Sequence, residues 1–146
     1  MVDQTKHQST LKKQKIRVKE VMKSDFNLAD GLDTVKSALQ EMEHHESHTL
    51  IINKRDEDDE YGIVLLADIA KKVIAKDRSP ERVNLYEIMS KPVICVRANM
   101  DIRYCARLFS NFGLKLAPVV DEKTGELVGT VSYNDIVLKG LVKLMD

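Results

Sequence analysis

Apolar positions alternate between two spacings along the chain, and the alternation is the same in both halves. Val35, Ala38, Leu39 and Met42 recur at helical spacing, as do Ile102, Cys105, Ala106 and Phe109. Each set is preceded by a short apolar stretch that reads as a strand, Phe26 and Leu28 in one half and Val93 to Val96 in the other. Pro92 marks the turn before the second of these. Each set is followed by two apolar runs long enough for buried strands: Thr49–Ile52 and Gly62–Leu66, then Leu116–Val120 and Leu127–Ser132. Glu122–Gly125 (EKTG) is a hairpin signal in which Gly125 supplies a positive φ. A closing helix is predicted at about Asp68–Lys76 and about Asn134–Leu144, and Ser79-Pro80 punctuates the boundary between halves.

The two halves superpose as text. Glu20-Val21-Met22 lies over Glu87-Ile88-Met89 at an offset of 67 residues (89 − 22), and the same offset carries Val35 to Ile102, Gly62 to Gly129 and Asp68-Ile69 to Asp135-Ile136. Leu50–Asn53 matches Pro118–Asp121 at an offset of 68. One residue is therefore missing from the first copy near His44–His48, and one is added in its acidic loop. The pattern predicts an α/β (α+β) fold of two pseudo-symmetric β-α-β-β-α repeats packed sheet to sheet. A three-stranded sheet with helices on one side leaves its other face bare, and two copies facing one another cover both. The expected organisation is a basic flexible arm over residues 1–16, repeat 1 over 17–78 and repeat 2 over 79–146.

Composition narrows the classes. Of 146 residues, 43% are hydrophobic and 32% charged, the balance of a globular chain. Basic and acidic residues number 23 each, so no global field favours nucleic acid or an anionic membrane. Lys6, Lys12, Lys13, Lys15, Arg17 and Lys19 crowd the first stretch, which reads as a solvated arm without aromatic platforms for bases. Cys95 and Cys105 sit in apolar stretches, as reduced thiols do in a reducing compartment. No apolar h-region opens the chain and no run reaches the roughly 20 residues of a membrane span. A cytoplasmic location is expected.

EVM, a strand, a helix, then APVVD and LVGTVSYNDIV in the second half resemble the CBS (cystathionine β-synthase) domain pattern, and EVM, LIIN and GIVLLADI keep its frame in the first. The resemblance covers roughly Arg17 to Lys143. It implies a tandem CBS pair with two clefts between the copies, where family members bind adenosine-containing ligands such as AMP, ATP or S-adenosylmethionine. Ligand occupancy then changes the behaviour of an attached or associated protein.

The family's signature for ribose and phosphate runs through Gly129-Thr130-Val131-Ser132-Tyr133-Asn134-Asp135. Ser132 offers a hydroxyl, and an ionised Asp135 has two acceptor oxygens suited to a ribose diol. Asn134 and the start of the helix suit phosphate. By its match to the family, Lys115 adds a counter-charge. Capping of the last helix is an equally ordinary use of Asn134 or Asp135, and the two roles can coexist. In the first copy Leu65 replaces the hydroxyl and Ala67 replaces Asn134, so Asp68 reads as a helix cap and its cleft as empty or apolar. In the family each cleft draws on both copies, which adds Phe26 and Asn27 of Lys23–Asn27, and Thr49 and Leu50 of Ser47–Leu50, to the site around Ser132.

Other signals lead nowhere catalytic. His44 and His48 share a face only if the helix extends to them, and His45-Glu46 lacks the spacing of H-E-x-x-H. Asp56–Glu60 lacks the spaced ligands and central Gly of an EF-hand. G-T-V-S is not a nucleophile elbow and no Walker lysine is present. The expectation is therefore no enzyme and no required cofactor or metal. The leading reading is a stand-alone regulatory module binding an adenosine ligand and signalling by conformational shift. A ligand-free CBS scaffold acting through homodimerisation is the second. Homodimerisation is implied by the family, and apolar Ile69, Val73, Ile136 and Leu141 on the closing helices suit either an interface or a core.

Overall fold

The computed structural model describes residues 14–145, so most of the basic arm lies outside the described residues. The chain divides into two compact units. One is contiguous, Asp25–Ile94; the other combines the described residues up to Ser24 with those from Cys95 onward. Each holds one three-stranded sheet, of order β1-β2-β3 or β4-β5-β6.

In the contiguous unit β1 (Leu28–Ala29) runs parallel to β2 (Thr49–Ile52), which pairs antiparallel with β3 (Gly62–Leu65). The helix α2 (Val35–Glu41) crosses between β1 and β2. Its first turn is capped by Thr34, whose hydroxyl accepts from the Ser37 N–H at 3.1 Å. Val35, Ala38 and Met42 are buried as expected; Leu39 is on the exposed side, so the apolar stripe is narrower than its spacing indicated. Leu50 and Ile52 pack with Val35, Val64 and Val73, while Thr49 and Ile51 on the opposite face of β2 are buried as well.

The second unit repeats this plan. β4 (Val96–Arg97) is parallel to β5 (Leu116–Val120), and β5 is antiparallel to β6 (Leu127–Ser132). Leu28 stands opposite Ile51 and Val96 opposite Val119, so the parallel ladders repeat at the 68-residue offset. The long helix α4 (Ile102–Phe112) starts under the Asp101 carboxylate, which accepts from the Arg103 N–H at 2.8 Å. It stops at Gly113, whose φ of 65° suits a residue without a Cβ. Ile102, Cys105 and Phe109 are its buried face, and burial pushes the Cys105 thiol up to about 11, which keeps it protonated and inert. Cys95 is only partly buried.

The lead-in strands and the closing helices differ from the sequence reading. The first strand of each unit is two residues long and begins later than expected. Val93 donates its N–H to Tyr61 in the hairpin loop, so residues 93–95 are not part of β4. The closing helices begin earlier: α3 (Leu66–Ile69) widens into a π-helical stretch at Ala70–Ile74, and α5 (Tyr133–Asp135) into one at Ile136–Leu141 before α6 (Val142–Met145). Asp68 and Asp135 stand at the third helical position and reach back to the N–H of Leu65 and Ser132. Their helices therefore open ahead of them.

The units also exchange their first segments. Helix α1 (Val18–Val21) precedes β1 in sequence but belongs with β4–β6. Four residues make no stable helix alone. Val18 and Val21 are fully buried, and about 1.5–3 kcal/mol for each side chain holds the turn in place. Ile16, assigned by sequence to the arm, is buried beside them and accepts from the Ile102 N–H. In mirror fashion the 3-10 turn Leu85–Glu87 and Ile88, which precede β4, bury Leu85 and Ile88 in the core of the β1–β3 unit. Ile69, Val73 and Ile136 lie in the cores, not on the outer faces of the closing helices; Leu141 is half-buried.

Candidate functional site

The residues singled out by sequence fall on both units. Thr130, Ser132, Asn134, Asp135 and Lys115 belong to the β4–β6 unit, and Phe26, Asn27, Thr49 and Leu50 to the β1–β3 unit.

In the β4–β6 unit, β6 ends at Ser132 and the helix begins at once. The Ser132 hydroxyl accepts from the Asp135 N–H at 3.3 Å and donates to Asp135 Oδ2 at 3.0 Å, while the Ser132 N–H donates to the same Oδ2 at 2.9 Å. This is a reciprocal capping box, and it leaves the carboxylate only 4% exposed. The other oxygen, Oδ1, has the Lys23 ammonium 3.7 Å away. Lys23 is held there by its backbone, which exchanges two 2.9 Å hydrogen bonds with Thr130. Gly129 permits the approach. A Cβ at this position would collide with the Lys23 carbonyl oxygen and come within 3.0 Å of Met22 Sδ.

Lys115 and Asn134 are exposed, and the Lys115 carbonyl accepts from the Tyr133 N–H at 3.2 Å, so both border the box. The cation beside Asp135 is Lys23. Sequence reasoning passed over the Lys23 side chain because its role depends on the exchange of α1 between units. The Tyr133 ring meets Phe109 edge to face at 5.2 Å and closes the core beneath the site.

The equivalent corner of the β1–β3 unit has the frame without the chemistry. Met89 Sδ and the Ser90 carbonyl approach Gly62 as Met22 and Lys23 approach Gly129, and Ser90 exchanges two 2.9 Å hydrogen bonds with Ile63. Asp68 accepts from the Leu65 N–H at 2.9 Å, but Leu65 has no hydroxyl to return. Asp68 is half-exposed, as a cap is, and Ser90 replaces Lys23.

Phe26, Asn27 and Leu50 line one cavity of about 210 Å3 together with Asp33, Glu41 and Glu43. The Asn27 amide is committed to the backbone. Its Nδ2 donates to the carbonyls of His44 and Thr49 at 2.8 and 3.1 Å, and its Oδ1 accepts from the His44 N–H at 2.9 Å. Leu50 is a core side chain, 1% exposed, and the Thr49 hydroxyl pairs with Ser47 at 2.8 Å. A larger hollow of about 750 Å3, not foreseen from sequence, lies beyond the carboxyl ends of β1 and β2. Its lining comes from Asp30–Leu32, Ile52–Arg55 and Tyr86–Lys91, three stretches that only the fold brings together. His44 and His48 share no helix face, since α2 ends at Glu41 and His48 has a φ of 59°. Among the described residues no group of three or more His, Cys, Asp or Glu side chains is placed to hold a metal ion.

The model of the CBS domain matches residues 18–75 and 85–141, most of the chain. The chain belongs to the CBS-domain family. Each match begins with the segment that packs in the other unit, so a family repeat and a compact unit are different divisions of one chain. An uncharacterized protein of Methanopyrus kandleri is 32% identical over 123 residues, which are 84% of this chain and 61% of that relative. The chain thus spans about three-fifths of that relative's length. Among solved structures, the hexameric CBS-CP12 protein from bloom-forming cyanobacteria is 36% identical with a TM-score of 0.76, covering 86% of this chain and 71% of its own. The CBS domain pair of protein MJ0100, in complex with 5′-methylthioadenosine and S-adenosyl-L-methionine, is 25% identical with a TM-score of 0.69, covering 86% and 95%. No helix among the described residues is long and apolar enough to cross a membrane.

Proposed function

We propose that the chain is a cytoplasmic, non-catalytic regulatory module that binds an adenosine-containing ligand at Asp135, with no cofactor required. The observation that carries this is the state of the Asp135 carboxylate. It is buried, its Oδ2 is fixed by Ser132, and its Oδ1 keeps acceptor capacity beside a single loosely placed cation. A fixed carboxylate oxygen at the end of a strand is what a ribose diol needs as acceptor. The adenosine ligands of the MJ0100 pair support the same ligand class. Thr130, Asn134 and Lys115 border this position and are the further residues we assign to it. Asp68, with Leu65 and Ser90 around it, is assigned a capping role only.

Thermal unfolding with and without AMP, ATP and S-adenosylmethionine tests the reading. A ligand at 100 times its Kd adds about 2.7 kcal/mol, a melting shift of roughly 5–10 °C for a chain of this size. Asp135→Ala removes the cap and lowers the starting midpoint, so the readout is the shift on adding ligand, which should vanish. A second reading, a CBS scaffold acting by homodimerisation, is favoured by the exposed apolar side chains Val137, Leu138, Val142 and Met145 along the second closing helix. Midpoints unmoved by all three compounds would support it over ligand sensing.

A further inference from the structure

Asp135 Oδ1 is in two situations at once. It is the carboxylate oxygen that Ser132 leaves open, and it is the oxygen nearest the Lys23 ammonium. At 3.7 Å the pair is longer than a charge-assisted hydrogen bond of about 2.7–2.9 Å, and half of the Lys23 side chain faces solvent. The ammonium is therefore close enough to set the local sign of charge and free enough to turn to another acceptor. Its anchorage does not depend on that choice, because the paired bonds to Thr130 use only the Lys23 backbone. The other unit has no equivalent: Ser90 stands where Lys23 does, and the offset that aligns Met22 with Met89 aligns them too.

We propose that Lys23 makes this site select nucleosides with a negative charge on the 5′ side over neutral or positively charged ones. The inference rests on the ribose reading of Asp135 given above. A diol bound to Oδ1 takes over acceptor capacity that now faces Lys23, and the displaced ammonium needs a new partner. A 5′-phosphate is one, since lysine binds phosphate as a compact point charge. A neutral nucleoside offers none, and a sulfonium brings like charge to the same place. Selection by charge follows from a cation that is already in position before any ligand arrives.

Isothermal titration of the full chain with adenosine, AMP and S-adenosylmethionine at low and moderate salt decides the matter. AMP should bind about ten- to a hundredfold more tightly than adenosine, as one new hydrogen bond between charged groups implies, and S-adenosylmethionine more weakly than adenosine. The AMP preference should shrink as salt rises. Lys23→Met should bring AMP and adenosine to within about threefold of each other, and Lys23→Arg should keep the preference. If adenosine binds in an Asp135-dependent way but AMP gains nothing, or its gain survives Lys23→Met, the charge selection is wrong and the ribose reading stands. If no adenosine compound binds, or binding ignores Asp135→Ala, both are wrong.

Discussion

Gly129 and Gly62 occupy the same place in the two units but tolerate a side chain differently. At Gly129 the obstacle is a backbone oxygen, that of Lys23, itself locked by two hydrogen bonds to Thr130. At Gly62 the nearest atom is the Met89 sulfur at 2.9 Å, the far end of a flexible side chain, with the Ser90 oxygen at 3.3 Å behind it. A methionine can swing away; the Lys23 carbonyl moves only if its backbone pairing with Thr130 gives. Gly129→Ala should therefore cost about 1–3 kcal/mol, the usual range for forcing a group into a filled space, and Gly62→Ala clearly less. Urea unfolding followed by circular dichroism measures both. Equal losses would mean that the Lys23–Thr130 pairing yields as easily as a side chain. Because Gly129 also seats Lys23 opposite Asp135, its variant should lose ligand response along with stability.

At the scale of elements, the acidic loop between β2 and β3 is tied down by one carboxylate. Asp59 Oδ2 accepts from Lys91 Nζ at 2.7 Å, from the Arg55 N–H at 2.8 Å and from Arg55 Nε at 3.1 Å. The Lys91 ammonium foremost, then the Arg55 N–H, hold the Asp59 carboxyl well below the usual carboxylate range. A carboxylate depressed on folding stabilises the fold above its unfolded pKa of about 3.9 and loses that contribution as pH falls from there. Asp59→Asn should thus lower the melting midpoint at pH 7, with the gap to the parent chain closing below about pH 4. A gap that is constant with pH would assign the effect to packing. Nothing local in Asp56–Glu60 announces Lys91 as the partner, because it is 32 residues away. What the sequence reading did recover is local by nature. β2, β5 and β6 were found residue for residue, since a buried strand is a continuous apolar run. The lead-in strands were placed too early, because their two-residue ladders are set by partners far along the chain, Ile51 and Ile52 for β1 and Val119 and Val120 for β4. Ser132 and Asp135 were legible as a motif; Lys23 as their cation was not.

For the molecule as a whole, the repeats visible in sequence and the units that share a core are cut at different places. Residues 17–78 contain α1 but lack Val83, Leu85 and Ile88, which are 0–2% exposed in the core beside Val35 and Val64. At about 1.5–3 kcal/mol each, losing three such side chains removes an amount comparable to the 5–15 kcal/mol net stability of a typical domain. The same fragment leaves Val18 and Val21 exposed, without the β4–β6 core that buries them. Residues 25–94 keep every member of their own core cluster and end before Cys95. We therefore expect the 25–94 polypeptide to melt cooperatively and the 17–78 polypeptide to show no unfolding transition in near-ultraviolet circular dichroism. Neither fragment spans two repeats, so the difference would arise only from which lead-in segment each retains. Cooperative melting of 17–78, or none for 25–94, would mean that exchange of Leu85 and Ile88 does not complete the core. The expected outcome makes that exchange the reason a CBS repeat in this chain is stable only with its neighbour's first segment beside it.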